Sequence, residues 1–133
     1  MAYDGAPESR PALERAAEII RPGDEVSVVN VMPEPGVSSR LGPFTQLRRR
    51  QRAILREAER ALARRGVVAR PIAAVGSPAS ATLATADALG ADLIVVADRA
   101  VRLPLGIGSV GGRIARRARC DVLVLHGDGS GHG

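Results

Sequence analysis

The stretch ADLIVVADRAVRLPLGIGSVGGRIARRARCDVLVL, residues 91–125, decides how the rest of the chain is interpreted. It contains two strand-like apolar runs, 93–97 and 122–125, which are separated by a loop and one short helix. Gly108 and Ser109 stand directly before that helix, where a serine at the N-cap leaves backbone N–H groups free to meet an anion. The stretch therefore predicts a strand, an anion-binding turn, a helix and a second strand.

The same alternation of strands and helices extends through the rest of the chain. Hydrophobic periodicity predicts a short strand before Asp4 and further strands at 25–31, 67–75, 92–97 and 121–126. The same periodicity and breaker residues predict four helices. They span about 7–21, from 44 or 45 to Gly66, from Pro78 (with Ser77 as N-cap) to Gly90, and a short stretch after Ser109. Such alternation implies parallel strands joined by right-handed crossovers. We expect a three-layer, doubly wound α/β fold with a five-stranded parallel sheet.

Ligands of doubly wound folds bind at the carboxyl ends of the strands, where the strand order reverses. Asp4, Val31 and the loop after Ala97 each follow or end a predicted strand. We therefore expect them to lie along one edge of the sheet.

The length of 133 residues fits one domain, which we assign to residues 1–126, followed by a flexible glycine-rich tail at 127–133. The apolar runs are far shorter than the roughly 20 residues of a membrane helix. No charged-then-apolar signal segment opens the chain. We expect a cytoplasmic protein that does not enter a membrane.

All nineteen basic residues are arginine, so a P-loop, which requires lysine, is excluded. Any phosphate would be held by backbone N–H groups, hydroxyl groups or arginine. The run RRRQR at 48–52, with Arg56, suggests a nucleic-acid patch. Because Tyr3 and Phe44 are the only aromatic residues, a solvated outer helix face is favoured, and nucleic acid is not an expected partner.

Residues for catalysis are sparse. Cys120 is the only cysteine, and the two histidines, His126 and His132, stand at a strand end and in the tail. No paired carboxylates, metal-spaced cluster or Ser-His-Asp spacing stands out. We expect neither a catalytic centre nor a metal site, and hence not an enzyme.

Four segments together resemble the universal stress protein family. AYDGAPESRPALERAAEI resembles its first strand end, DGS turn and first helix, and VVNVMPEP its second strand. GSPASATLATADALGADLIVVADRA resembles its third helix and fourth strand, and GSVGGRIARRARCDVLVLH its closing segment. The resemblance covers nearly the whole chain, and it implies a small stress-response module that binds ATP or another adenine nucleotide.

The predicted site residues lie at the strand ends and around the loop, and they follow from the resemblance except for Arg99, which could add positive charge nearby. They are Ala2, Tyr3, Asp4, Val31, Ala97, Arg99, Ala100, Gly108, Ser109 and Val110. The resemblance places Asp4 by the adenine and ribose, Val31 at the adenine wall, and Gly108 to Val110 at the phosphate.

The loop departs from the pattern of nucleotide-binding members, in which G-x-x-G, nine residues and then G-S/T follow the fourth strand. Here both glycines of G-x-x-G are alanine, Ala97 and Ala100, and only seven residues, 101–107, precede Gly108. A Cβ is costly where a loop needs positive φ or close approach to a phosphate. Two interpretations stay open, a retained nucleotide site and a purely structural turn.

The alternative function is a homodimeric interaction module that binds no nucleotide. The resemblance implies a dimer through the last strand, Asp121 to His126, which is a short apolar edge candidate. A second departure is that only residues 1–3 precede Asp4, where the family has a longer central strand. Two interpretations stay open: the sequence as given lacks the start of this strand, or the strand is unusually short, which would leave backbone groups of its neighbours unpaired.

Overall fold

The computed structural model describes residues 1–34, 44–98 and 110–126. The strands are β1 (Ala2–Tyr3), β2 (Val26–Met32), β3 (Ala69–Val75), β4 (Leu93–Asp98) and β5 (Asp121–His126), and the helices are α1 (Arg10–Ala16), α2 (Phe44–Ala63), α3 (Pro78–Leu89) and α4 (Val110–Arg117). These elements alternate along the chain as predicted.

All five strands form one sheet in the order β3-β2-β1-β4-β5, with every neighbouring pair parallel. β1 lies at the centre and is only two residues long. It pairs with β2 through Ala2 and Val29, and with β4 through Ala2–Val96 and Tyr3–Ala97. The predicted doubly wound α/β fold, with its shortened first strand, is confirmed.

The helices cover both faces of the sheet and bury two separate clusters. The α1/α2 cluster contains Tyr3, Leu13, Val28, Leu55, Leu62 and Ala97 among its buried members. The α3/α4 cluster, on the other face, contains Ala2, Val29, Ile94, Val96 and Ile114. Because successive strand residues point to opposite faces, neighbours such as Ala2 and Tyr3 belong to different clusters.

The predicted first helix is divided into three parts. A 3-10 turn at Pro7–Ser9 leads into α1, and a second 3-10 turn at Ala17–Ile19 follows it. Ile20 is already extended, with φ −81° and ψ 134°, so the helix ends just ahead of Pro22. The tighter turns at both ends are common where an α-helix starts and stops.

α3 has the ends that its sequence predicts. Ser77 occupies the N-cap position with extended φ and ψ, and Pro78 follows, although the serine side chain makes no capping hydrogen bond. Gly90 closes the helix in the left-handed region at φ 63°, and its N–H donates to the carbonyls of Ala86 and Asp87.

α2 turns its apolar side to the sheet and its arginines to solvent. Gln51, Leu55, Ala58, Ala61 and Leu62 are buried, whereas Arg48, Arg49, Arg50, Arg52 and Arg56 are exposed. None of the helices in the described ranges has the length and apolar character needed to cross a membrane.

Candidate functional site

The strand order reverses between β1 and β4, because β2 and β3 follow β1 to one side and β5 follows β4 to the other. In doubly wound folds, ligands bind in a crevice at the carboxyl ends of the strands where the order reverses, which here are β1 and β4. Extending the register of Ala2 with Val29 and Val96 by two residues brings Asp4 level with Val31 and Asp98. The structure thus brings Asp4 and Val31 to the common edge that the sequence predicts.

Ala2, Val31 and Val110 lie on the same face of the sheet. Ala2 is buried in the α3/α4 cluster, and Val31 and Val110 pack against it while partly exposed. Val110 is the first residue of α4, which lies against β4 and β5 on this face. Since α4 follows β4 and returns along the sheet, its positive, N-terminal end stands at the carboxyl edge.

Asp4 is exposed and also supports the turn that follows β1. Its Oδ1 accepts a hydrogen bond from the Ala6 N–H at 2.8 Å. Gly5 has φ +82°, and a Cβ at this position would lie 2.6 Å from Cγ1 of Ile54. The Asp4-Gly5 turn therefore needs both residues for its own geometry, whatever else the carboxylate contacts.

Tyr3 and Ala97 lie on the opposite face of the sheet. The Tyr3 ring is 3% exposed within the α1/α2 cluster. Its hydroxyl has no hydrogen-bond partner among the described residues. Burial first, and the charge of Glu57 second, raise the pKa of Tyr3 to about 12. Only the backbone of Tyr3 is therefore placed where a ligand in the crevice would meet it.

Asn30 and Gln51 form a buried polar network that our sequence predictions missed. The Asn30 side chain donates from Nδ2 to the carbonyl of Tyr3 at 2.8 Å. Gln51 of α2 donates from Nε2 to the carbonyl of Asn30 at 2.8 Å and to that of Ala74 at 2.9 Å. The network joins α2, β1, β2 and β3 near the carboxyl end of β1, on the same face of the sheet as Tyr3.

The sequence did contain a signal for this network. Asn30 is an amide inside an otherwise apolar strand, and Gln51 falls between Arg50 and Arg52 yet one turn before Leu55 on the apolar face. Buried amides are almost always hydrogen-bonded, so a polar residue on an apolar face indicates a partner.

The remaining predicted site residues, Arg99, Ala100, Gly108 and Ser109, lie outside the described residues. Among the described residues, no group of three or more His, Cys, Asp or Glu side chains is arranged to hold a metal ion.

Comparison with known proteins decides the family. The model of the universal stress protein family matches residues 1–126. The chain belongs to the universal stress protein family.

Solved structures of universal stress proteins resemble the chain over nearly its whole length. One such protein, in complex with cAMP, is 27% identical with a TM-score of 0.72, and the match covers 96% of this chain and 94% of that one. A family member from Burkholderia pseudomallei is 28% identical with a TM-score of 0.64, and the match covers 93% of this chain and 91% of that one.

A more distant structure adds support for the fold alone. The universal stress protein from Archaeoglobus fulgidus in complex with dAMP is 22% identical, with a TM-score of 0.69, and the match covers 93% of each chain. A search of curated proteins finds no match to the chain.

Proposed function

We propose that this protein is a cytoplasmic stress-response module that binds ATP or another adenine nucleotide in the crevice between β1 and β4, without catalysing its turnover. The observation that carries the proposal is the parallel pairing of Ala2 with Val29, whose continuation by two residues would set Asp4 beside Val31. It places a carboxylate, which can accept hydrogen bonds from an amino or hydroxyl group, beside an apolar wall for a base. The cAMP complex of a relative that is 27% identical supports the same class of ligand.

The position of α4 supports a phosphate at the same edge. Val110 begins α4 with its backbone N–H groups toward the carboxyl end of the sheet. Such a helix end attracts negative charge, and Arg113, one turn along, is exposed. Gly108 and Ser109 precede it directly in sequence and would complete the anion-binding turn.

The alanine at the first lost glycine position does not block this crevice. Ala97 is in regular strand geometry, and its methyl group is buried in the α1/α2 cluster. It therefore occupies the face opposite to Ala2, Val31 and Val110. This placement favours a retained site over a purely structural turn at residue 97.

Titration calorimetry with ATP, ADP, AMP and cAMP tests the proposal. Asp4→Asn keeps an oxygen for the Ala6 N–H but removes the charge, so the unliganded protein should keep its Tm. We expect the affinity for the preferred nucleotide to fall about tenfold, which corresponds to roughly 1.4 kcal/mol.

Asp24→Asn is the matched control, because Asp24 also accepts a backbone N–H, from Arg21 at 2.8 Å, away from the crevice. No heat of binding at millimolar concentrations of all four nucleotides would overturn the proposal. An equal loss of affinity in Asp4→Asn and Asp24→Asn would show that the nucleotide does not bind beside Asp4. A measurable rate of phosphate release from ATP would contradict the non-enzymatic role.

A homodimer through β5 is the second proposal, and the two sheet edges support it. On β3, Arg70 and Pro71 are exposed, and proline and charge are the usual means of blocking an edge strand. On β5, the run Val122–Leu125 is apolar and only partly buried. The edge formed by β5 is therefore the one suited to pair with a second copy.

Leu123→Arg tests this dimer by light scattering after gel filtration. We expect the variant to be monomeric because a charged side chain would enter the strand pair. Val68→Arg, at a residue that is 91% exposed beside the other edge, should leave the dimer intact. A monomeric wild type, or a dimer that survives Leu123→Arg, would refute this interface. A dimer without nucleotide binding would leave only the interaction-module alternative.

A further inference from the structure

The outer side of α2 carries a row of exposed arginines. Arg49, Arg52, Arg56 and Arg60 are all exposed. Because they are spaced three or four residues apart, they lie one above another along one side of the helix. From the first to the last of them the helix rises about 16 Å, at 1.5 Å per residue. We call these four residues the arginine stripe.

Ion pairs do not neutralise the arginine stripe. None of its four arginines forms an ion pair with another residue in the described ranges. Glu57 of α2 instead pairs with Arg10 of α1, and Glu14 of α1 pairs with Arg10 and Arg65. Glu59, the other acidic residue of α2, is partly buried and pairs with none of them. The guanidinium groups of the stripe are therefore free to meet a partner outside the chain.

Further arginines extend the positive charge around the stripe. Arg48 and Arg50 of α2, and Arg64 just after it, are also exposed. Like charges one helical turn apart repel one another and destabilise the helix. A partner with several negative charges in a row would relieve this repulsion and would be attracted by the summed field of the arginines.

The apolar side of α2 is not available to a membrane. Leu55, Ala58 and Leu62 are buried in the α1/α2 cluster. A helix that binds at a membrane surface inserts its apolar face between the lipids, and here that face is packed against the sheet. Beside the arginines, the exposed apolar residues of the outer side are only the small Ala53 and Ala63. The stripe is therefore suited to a polyanion in water.

An exposed aromatic ring at the start of α2 narrows the kind of polyanion. Phe44 is 41% exposed, and the guanidinium carbon of Arg48 lies 5.5 Å from the centre of its ring. Aromatic rings and guanidinium planes are the groups on which proteins stack unpaired bases. The scarcity of aromatic residues in the sequence favours a solvated helix face, but the structure places one of the two, Phe44, on the surface beside the arginines. An acidic peptide would have no base to stack there.

We propose that the arginine stripe, together with Phe44 and Arg48, binds single-stranded nucleic acid. The guanidinium groups of the stripe hold phosphate oxygens of successive nucleotides, and Phe44 and Arg48 stack on a base at one end. These contacts involve phosphates and the faces of bases, so binding has little sequence preference. The surface lies on the outer side of α2, and the proposal does not rest on a nucleotide in the crevice between β1 and β4.

Fluorescence anisotropy with labelled RNA and DNA oligomers tests the proposal. With single strands of about 12 nucleotides and mixed sequence, we expect dissociation constants of about 10 µM at about 100 mM salt, as is usual for binding without sequence preference. The logarithm of the affinity should fall with the logarithm of the salt concentration with a slope of about −3. Each of four phosphate contacts to a single strand contributes about −0.7 to this slope.

Two double variants with the same net charge show whether binding occurs at the stripe. Arg52→Gln with Arg56→Gln should weaken binding at least about tenfold and reduce the slope to about −1.5. Arg116→Gln with Arg119→Gln is the matched control, because both arginines are exposed but belong to α4 or follow it, on the other face of the sheet. The control should change the affinity by less than about twofold.

Variants of Phe44 test the stacked base. Phe44→Ala should weaken the binding of single strands about tenfold, whereas Phe44→Tyr, which keeps a ring, should retain it. The weaker binding of a duplex of the same length should not change in either variant, because its bases are paired and stacked already.

Several results would overturn the proposal. They are the absence of binding at about 100 µM protein and 50 mM salt, an equal loss of affinity in the two double variants, or tighter binding to a duplex than to a single strand. Competition by polyglutamate as strong as that by an oligomer of equal charge, or binding to anionic lipid vesicles instead of oligomers, would also overturn it. Calorimetry with free nucleotides should give the same affinity in every variant, so failure here is distinct from failure of the crevice.

Discussion

The two ends of the central strand differ in how their backbone groups are satisfied. At the carboxyl end, Asn30 and Gln51 connect β1, β2, β3 and α2 through three hydrogen bonds of 2.8 to 2.9 Å. At the amino end, β1 stops at Ala2, and a cavity of about 840 Å³ lies between its neighbours. β2 and β4 flank β1 at both ends. The two ends therefore differ because side chains of α2 and β2 bond to the strands only at the carboxyl end.

This contrast indicates a division of roles within one small sheet. The hydrogen bonds of Asn30 and Gln51 tie α2 to three strands near the carboxyl edge, which holds the ends of those strands in place. At the amino end, the first residues of β2 and β4 pair with β3 and β5, and no side-chain network of this kind connects them among the described residues. We therefore expect substitutions at the carboxyl end to cost more stability than matched ones at the amino end.

Gly5→Ala should have the largest effect. Gly5 has φ +82°, and a Cβ there would lie 2.6 to 2.9 Å from three atoms of Ile54. Strain and overpacking together should lower the free energy of unfolding by about 3 kcal/mol. Urea denaturation measures the loss.

Gly23→Ala is the control at the amino end, because its φ is +93° but no atom lies within 4 Å of the added Cβ. Strain alone should cost about 1 kcal/mol there. In a background that carries Ile54→Ala, the stability loss caused by Gly5→Ala should fall toward the loss caused by Gly23→Ala. Equal losses at Gly5 and Gly23 would contradict the close approach of Ile54 to the turn.

Gln51→Leu should have the next largest effect. The side chain is 2% exposed and donates to two carbonyl oxygens, those of Asn30 and Ala74. Leucine fills a similar volume but removes the donor, which should cost about 2 to 3 kcal/mol. Gln46→Leu, on the exposed side of the same helix, should change stability by less than about 0.5 kcal/mol. Similar values for the two variants in urea denaturation would show that the network does not stabilise the carboxyl end.

The Met1 amino group, at the amino end of β1, should make the free energy of unfolding depend on pH between about 6 and 8. Burial lowers the pKa of the Met1 amino group from 8.0 to about 6, so the unfolded chain binds more protons than the folded chain in this range. The free energy of unfolding should therefore rise with pH from 6 to 8, by about 2 kcal/mol, and level off above 8. Urea denaturation across this range measures the slope.

Acetylation of the Met1 amino group provides the control for this slope. The acetylated chain has no proton to lose there, so its stability should be flatter from pH 6 to 8. An unchanged slope after acetylation would show that other groups cause the pH dependence and that the Met1 amino group is not buried.

The architecture could be predicted because each element carries its own local signal. β5 was predicted at 121–126 and is found there, since Asp121 and His126 bound a continuous apolar run. The edge shared by Asp4 and Val31 also followed from the alternation of strands and helices. These features depend on short-range sequence patterns, which a single sequence contains, and on the general right-handedness of crossovers.

The polar network and the cavity could not be predicted in the same way. Gln51 contacts Ala74, which is 23 residues away, and such a contact depends on how α2 sits across two strands. The shortness of β1 was evident from the sequence, whereas the cavity depends on whether neighbouring side chains close over the gap. The roles of the predicted site residues stay predictions, and four of them, Arg99, Ala100, Gly108 and Ser109, lie outside the described residues.

Tyr3→Phe should have the smallest effect, and it separates the crevice from the core beneath it. The Tyr3 hydroxyl is buried without a hydrogen-bond partner among the described residues, and burial raises its pKa to about 12. Removing an unsatisfied hydroxyl should leave the free energy of unfolding unchanged or raise it by up to about 1 kcal/mol. The folded state then no longer buries a polar group that has lost its hydrogen bonds to water. Nucleotide affinity should stay the same, since the ring packs with Leu13 and Leu55 on the face opposite to Val31. Calorimetry and urea denaturation of the same preparation measure both quantities. A drop in affinity without a drop in stability would place the Tyr3 side chain in the ligand site and not in the core.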